Sequence, residues 1–348
     1  MGTLWFWIVA SMLAAYVVLD GYDLGVGVLY LFVAKTEPER QQALRSIGPV
    51  WDGNEVWLLA AGGTLFFAFP LLYASAFSGF YLPLMIVLWL LILRGVSVEL
   101  RGHSQDTLMH TFFDGLFFFS SALLAIFFGA ALANVVRGVP IGKDDYFFLP
   151  LWTDGRTGHL PGILDWYTVT GGVLAFIALA LHGSLYLALK TEGELEQRSI
   201  AWARRVWPAV LVLTAVSLPA TVLARPGSLE NYRTHPIAFL APLAVIAGLA
   251  IIPFALRKGA NLAAFLGSCL YLAAMLAGAA AGLHPVLLPS IGGQGQDITI
   301  ARALAGPHTL QVGLVWWSFG ILLAILYFCI VNWLFRGKVS QHSDGYGH

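Results

Sequence analysis

The stretch Gly48-Pro49-Val50-Trp51-Asp52-Gly53-Asn54-Glu55-Val56-Trp57 leads straight into the apolar run Leu58-Leu59-Ala60-Ala61. On a helix, Asp52 and Glu55 are three residues apart and share one face. The preceding apolar segment carries a second acidic pair, Asp20 and Asp23, within Leu19-Asp20-Gly21-Tyr22-Asp23-Leu24-Gly25. Four carboxyl groups therefore fall in or beside the first two apolar segments. An ionisable side chain at the bilayer centre costs about 2.5–3.5 kcal/mol on insertion scales, and by default it marks an ion, proton or substrate path.

The rest of the chain makes bilayer depth the right frame. Of its 348 residues 58% are hydrophobic and only 11% are charged, with a mean hydropathy of +0.77. A soluble domain carries about 25% charged residues, so the expected fold class is an all-α polytopic membrane protein. The formal net charge is zero, so nucleic acid is not an expected partner. Cys269 and Cys329 lie in separate apolar segments and read as small core hydrophobes. Met1-Gly2-Thr3-Leu4 lacks a basic lead and a small-residue cleavage site, so the first apolar run reads as a retained span.

A helical span needs about 20 apolar residues. Nine segments qualify, at 4–33, 51–70, 76–100, 111–136, 163–189, 206–224, 236–256, 262–283 and 310–335, in a single integral membrane domain over 1–348. Only Leu71-Leu72-Tyr73-Ala74-Ser75 separates the second from the third, which predicts a tight antiparallel pair. Lys and Arg are asymmetric: twelve lie in the loops after odd-numbered spans and in the tail, and six in the loops after even-numbered spans. The richer side is expected to be cytoplasmic. The N-terminus is then outside and the C-terminus inside.

That topology brings Asp20, Asp23, Asp52, Glu55, Arg94 and Glu99 into the cytoplasmic half of three successive spans. Arg94 fits as a counter-ion that keeps nearby carboxylates ionised. Asp52 and Glu99 are near enough to helix ends to snorkel. The glycines of Gly21-x-x-x-Gly25 with Gly27, and of Ala60-Ala61-Gly62-Gly63, predict close backbone approach in the first two spans, and Asn54 is placed to donate across that interface. His110 and Asp114 open the fourth span on one face, with His110 expected at a solvated boundary. Asp165 and His182 mark the two ends of the fifth. A lone histidine in a span is expected to be hydrogen-bonded in the core, and neither histidine pairs with another at matched depth. Outer loop 138–162, with Asp144, Asp145, Tyr146, Asp154, Arg156 and His159, reads as a surface loop. Inner loop 190–205 reads as a solvated helical cap, and the tail after Lys338 as disordered. No catalytic triad, phosphate loop, CxxC or metal-ligand set is present in the sequence.

The motifs Asp20-Gly21-Tyr22-Asp23-Leu24-Gly25-Val26-Gly27 and Gly48 to Trp57 resemble subunit II of cytochrome bd-type quinol oxidases. Ser78-Gly79-Phe80-Tyr81, Leu93-Arg94-Gly95 and Glu99 extend the match in register. The resemblance implies a terminal oxidase of a prokaryotic cytoplasmic (inner) membrane, coupling quinol oxidation to reduction of oxygen to water. It implies that subunit I carries the haems, haem b and haem d, and the quinol site. It further implies a subunit II of two four-helix bundles plus one peripheral helix, paired with subunit I. Lipid contacts and small accessory membrane subunits belong to the same expectation. A proton path of the family is implied at Asp52, with Asp23, Arg94 and Glu99 nearby; Asp20 and Glu55 lie on the same stretches.

Two rival readings differ in kind. A secondary transporter would use the glycine-bearing 20–27 stretch as a broken helix around a cation or proton site, but the second half of the chain has no matching charged interruption. A purely structural assembly subunit would need the buried acids for assembly alone.

Overall fold

The computed structural model describes residues 1–103, 106–158, 161–292 and 294–340. His159 and the tail from 341 lie outside the described residues. The chain is helical nearly throughout. In order come α1 (Gly2–Val33), α2 (Glu37–Ile47), α3 (Trp51–Ala68), α4 (Pro70–Gly79), α5 (Tyr81–Arg101), α6 (Thr107–Arg137), α7 (Trp166–Lys190) and α8 (Glu194–Ala224). After them come α9 (Glu230–Thr234), α10 (Leu240–Arg257), α11 (Asn261–Leu283), α12 (Ile300–Ala303) and α13 (Pro307–Leu334). Two short strands, β1 (Val286–Leu288) and β2 (Ile298–Thr299), pair antiparallel.

Helix α1 is the centre of the molecule and packs against α3, α6, α7 and α11. Every residue from Asp20 to Tyr30 is buried, as expected of a helix surrounded on all sides. Close approach is made possible by glycine at one contact in particular. A Cβ on Gly25 would lie 2.0 Å from the Leu179 carbonyl oxygen, and one on Gly183 would lie 2.2 Å from the Gly25 carbonyl carbon. The α1 and α7 backbones therefore touch there. The expected counterpart in α3 is not used inside this chain, because the Cβ positions of Gly62 and Gly63 meet nothing within 4 Å.

The long helices run between two ends. At one end α2 folds back beneath the bundle, held by a capping box in which Thr36 and Glu39 satisfy each other's backbone. At the other end the β1–β2 hairpin, α4 and α12 form a lid. The Lys- and Arg-rich loops gather at the α2 end. Eight helices among the described residues are long and apolar enough to cross a membrane. Helix α3 is not one of them: it has 18 residues and carries Asp52, Asn54 and Glu55 in its first turns.

The connection expected at 71–75 is itself helical. Pro70 starts α4 in the first turn, where its missing N–H is harmless, and Phe80 separates α4 from α5. As a result α3 and α5 do not form a tight antiparallel pair. They meet through side chains, Arg94 on Glu55 and Trp51 against Gly95. The expected cap at 190–205 is mostly the first turns of α8, where Leu195, Ser199 and Ala203 are buried. Among the long helices α13 is the most weakly packed, with Leu310 its one buried residue. It leans on α3 across an apolar cavity of about 590 Å³.

Candidate functional site

Three helices converge on one guanidinium. Arg94 of α5 is buried, with its Nη1 2.7 Å from Asp20 Oδ1 on α1 and its Nη2 2.7 Å from Glu55 Oε2 on α3. The Asp20 and Arg94 side chains are 0% and 2% exposed, whereas that of Glu55 is 22% exposed, so the cluster is closed on the α1 side and opens past Glu55. Asp23, one turn along α1 from Asp20, accepts at Oδ2 from Asn54 Nδ2 at 2.8 Å. The same amide nitrogen lies 2.7 Å from the Tyr22 hydroxyl, which makes Asn54 the pin between α1 and α3.

This site is not internally satisfied. Asp20 Oδ2, Asp23 Oδ1, Asn54 Oδ1 and Arg94 Nε are buried with no protein hydrogen-bond partner. Buried polar atoms of this kind are normally completed by ordered water. The charge balance points the same way. Three carboxyl groups surround one guanidinium, and burying uncompensated negative charge is expensive.

Asp52 lies one helical turn before Glu55 on α3 and is exposed. Glu99 lies beyond Arg94 on α5, also exposed. The six sequence-predicted residues thus divide in two. Asp20, Asp23, Glu55 and Arg94 form the buried cluster, and Asp52 and Glu99 stand on the surface toward the α2 end.

A second network was not anticipated. Arg101, near the end of α5, bonds Asp114 of α6 at 2.5 Å through Nε and Glu37 of α2 at 2.9 Å through Nη2, while Arg40 bonds Asp114 at 2.8 Å. His110 is half-buried, 3.5 Å from Glu37, rather than simply solvated. This network clamps α2 to the bundle. Burial acts to raise the Glu37 carboxyl, but the Arg101 guanidinium outweighs it and holds the group below the usual carboxylate range. At the opposite end Asp165 caps α7 through the Tyr167 and Thr168 N–H groups and pairs with buried Arg137. The sequence signal for both networks is an acid and an arginine at facing helix ends, which reads the same as two solvated charges.

His182 is fully buried and engaged at both ring nitrogens, Nδ1 with Ser268 Oγ at 2.7 Å and Nε2 with the Val18 carbonyl at 2.9 Å. Its ring stacks on Phe265. Neither nitrogen is left for an axial bond to haem, so this site does not fit that group. Among the described residues no cluster of three or more His, Cys, Asp or Glu is arranged to hold a metal ion.

Residues 1–335 match the family model described as cytochrome bd terminal oxidase subunit II. The chain is 30% identical to cytochrome bd-I ubiquinol oxidase subunit 2 of Escherichia coli K12, over 97% of this chain and 95% of that one. It is 32% identical to cytochrome bd ubiquinol oxidase subunit 2 of Bacillus subtilis 168, over 97% and 96%. A chain of the bd oxidase from Geobacillus thermodenitrificans superposes with a TM-score of 0.78 at 15% identity, covering 96% of this chain and 98% of that one.

Proposed function

The chain belongs to the cytochrome bd terminal oxidase subunit II family, and on that premise we propose that it brings protons from the cytoplasm to the oxygen-reducing centre of its partner, subunit I. As a family member it is an integral membrane component of a quinol-oxidising terminal oxidase. In the proposed assembly the haems b and d and the quinol site sit on subunit I, in a prokaryotic inner membrane. The haems, when bound there, supply the electrons and the oxygen-binding site. What this chain supplies is protons and their stabilisation.

Reduction of one oxygen molecule to two waters consumes four protons, and a bare proton does not cross hydrocarbon. In this reading α3 is the ninth crossing, the α2 end faces the cytoplasm and the N-terminus is outside. The excess of Lys and Arg at that end supports the orientation. Exposed Asp52 and Glu99 form the mouth and collect protons. Glu55, half-open, passes them to Asp23 and Asp20 through water held by their unpaired oxygens. Arg94 stabilises whichever carboxylate has just lost its proton. Protons drawn from one side of the membrane make turnover charge-separating without a pump.

The observation that carries this reading is the Asp20–Arg94–Glu55 cluster with Asp23, buried yet left with unpaired polar atoms, opening to the surface at Asp52. The test is Asp52→Asn in the assembled oxidase. Oxygen consumption per haem with excess quinol is expected to fall sharply or to shift its pH optimum, with haem spectrum and subunit ratio unchanged. Parental turnover and pH dependence would remove Asp52 from the route. Loss of assembly would favour a structural role for the acids.

A further inference from the structure

We propose that the Tyr16 hydroxyl is the last proton carrier this chain supplies, taking a proton from Asp20 and releasing it at mid-bilayer depth toward subunit I; this rests on the proton-route reading above. Tyr16, Asp20 and Asp23 recur at spacings of four and three residues, which puts them on one face of α1. Tyr16 is 3% exposed and its ring is held edge-on by Phe128, with centroids 5.5 Å apart. The hydroxyl makes no well-formed hydrogen bond, and the carboxyl beside it is that of Asp20. Asp20 spends Oδ1 on Arg94 and keeps Oδ2 unpaired. The Tyr16 hydroxyl faces Asp20 from one turn away, with Arg94 and Glu55 the next charges in range.

The polar stripe ends at Tyr16. Continuing along the same face, Met12 and Val9 are buried and apolar, and the Met12 sulfur is already contacted by Thr64 Oγ1 and Trp317 Nε1, each at 3.5 Å. A proton that reaches Tyr16 therefore has no further carrier on α1. At 1.5 Å per residue, Tyr16 lies about 21 Å from Gly2 and about 26 Å from Val33, close to the middle of the span. The way out is sideways, between α3 and α5, which meet only through side chains. Their outer faces are apolar and uncovered, with Leu59 73% and Trp89 59% exposed, and in this reading subunit I covers them.

A hydroxyl both donates and accepts, so the hop balances. The Asp20 O–H bond breaks as a new O–H forms on the Tyr16 oxygen. The original Tyr16 proton leaves to a water or acceptor of subunit I. Tyrosine ends neutral, Asp20 ends as a carboxylate against Arg94, and the next proton arrives from Asp23 or Glu55.

Tyr16→Phe removes the hydroxyl and keeps the ring against Phe128. In the assembled oxidase it is expected to lower oxygen consumption per haem at least tenfold, with haem spectrum and subunit ratio unchanged. Tyr16→His, a ring that again carries an exchangeable proton, is expected to recover a large part of the loss. Tyr16→Phe turnover within twofold of the parent would overturn the proposal, as would failure of Tyr16→Phe to assemble or a Tyr16→His enzyme as slow as Tyr16→Phe. Asp52→Asn measured alongside separates the two claims. A slow Asp52→Asn enzyme with a normal Tyr16→Phe enzyme leaves the route and removes Tyr16; a normal Asp52→Asn enzyme removes the mouth.

Discussion

Replacing Arg94 by Gln deletes the one cation that three acidic side chains share. The two bonds lost are both 2.7 Å and charge-assisted, and the Asp20 side chain at the far end is 0% exposed. Removing one partner of a buried ion pair typically costs about 3–5 kcal/mol, because the other charge stays buried without compensation. Glutamine can donate one hydrogen bond in return, so the lower end, about 3 kcal/mol, is expected. That is roughly a hundredfold shift in the folding equilibrium at about 1.4 kcal/mol per tenfold. Against a typical reserve of about 5–15 kcal/mol it is a large fraction. The assay is the yield and thermal midpoint of the purified complex, followed by its haem absorbance. Arg94→Gln should assemble poorly and melt early. Glu55→Gln should be much milder, since Glu55 already reaches solvent. Adding Asp20→Asn to Arg94→Gln should restore part of the loss, because the carboxyl bonded directly to the missing guanidinium is then neutral, while Asp23 keeps its bond from Asn54. An Arg94→Gln complex with parental yield and melting would refute the premise that Asp20 depends on this guanidinium.

The docking of α2 should depend on pH. Burial acts to raise the Glu39 carboxyl, but the Lys35 and Thr36 N–H groups and Arg198 outweigh it and leave the group lowered, as Arg101 does for Glu37. A lowered folded value stabilises above the unfolded one, about 4.3 for Glu, and the stabilisation is lost as pH falls through the folded value; the protection of amides over 37–47 relative to their intrinsic exchange at each pH should be steady from pH 8 to 5 and fall under stronger acid, and equal protection at pH 3 would contradict this. Gly25→Ala places a Cβ 2.0 Å from the Leu179 carbonyl oxygen and 2.7 Å from the Gly183 nitrogen; it should abolish assembly, measured as subunit recovery in the membrane, and a normal yield would mean that α1 and α7 are farther apart. His182→Gln should leave every haem band of the assembled complex in place, whereas loss of one band from an otherwise intact complex would assign that haem to this chain.

The apolar runs made the helices legible because nothing else in a sequence resembles 20 consecutive residues without charge. Their ends were less so. Pro70 is a visible start signal for α4, but the surrounding run stays apolar on both sides, and hydropathy alone reads through it. The candidate site was conspicuous for the same reason: Asp20, Asp23 and Arg94 stand out in runs that otherwise exclude charge. Pairing was not legible, since which of Asp20, Asp23 and Glu55 faces Arg94 depends on the rotation of three helices about their axes. Arg101 with Asp114, and Arg137 with Asp165, were hidden by position. A charge at a helix end reads as solvated, and only the fold-back of α2 and the packing of residues 161–165 bury them. Tyr16 was hidden by residue type, because an aromatic in an apolar run looks like core until its hydroxyl is seen to face Asp20.

If the buried acids carry the protons that oxygen reduction consumes, Asp23→Asn must slow the reaction without disturbing the complex. The substitution keeps the size of the side chain and an acceptor oxygen for Asn54, and replaces the titratable carboxyl by an amide that cannot relay a proton. The measurement is oxygen consumption per haem by the purified complex with excess quinol, read beside its subunit ratio and haem spectrum. The expected outcome is an intact complex whose turnover falls at least tenfold. An intact Asp23→Asn complex that reduces oxygen at the parental rate would contradict it.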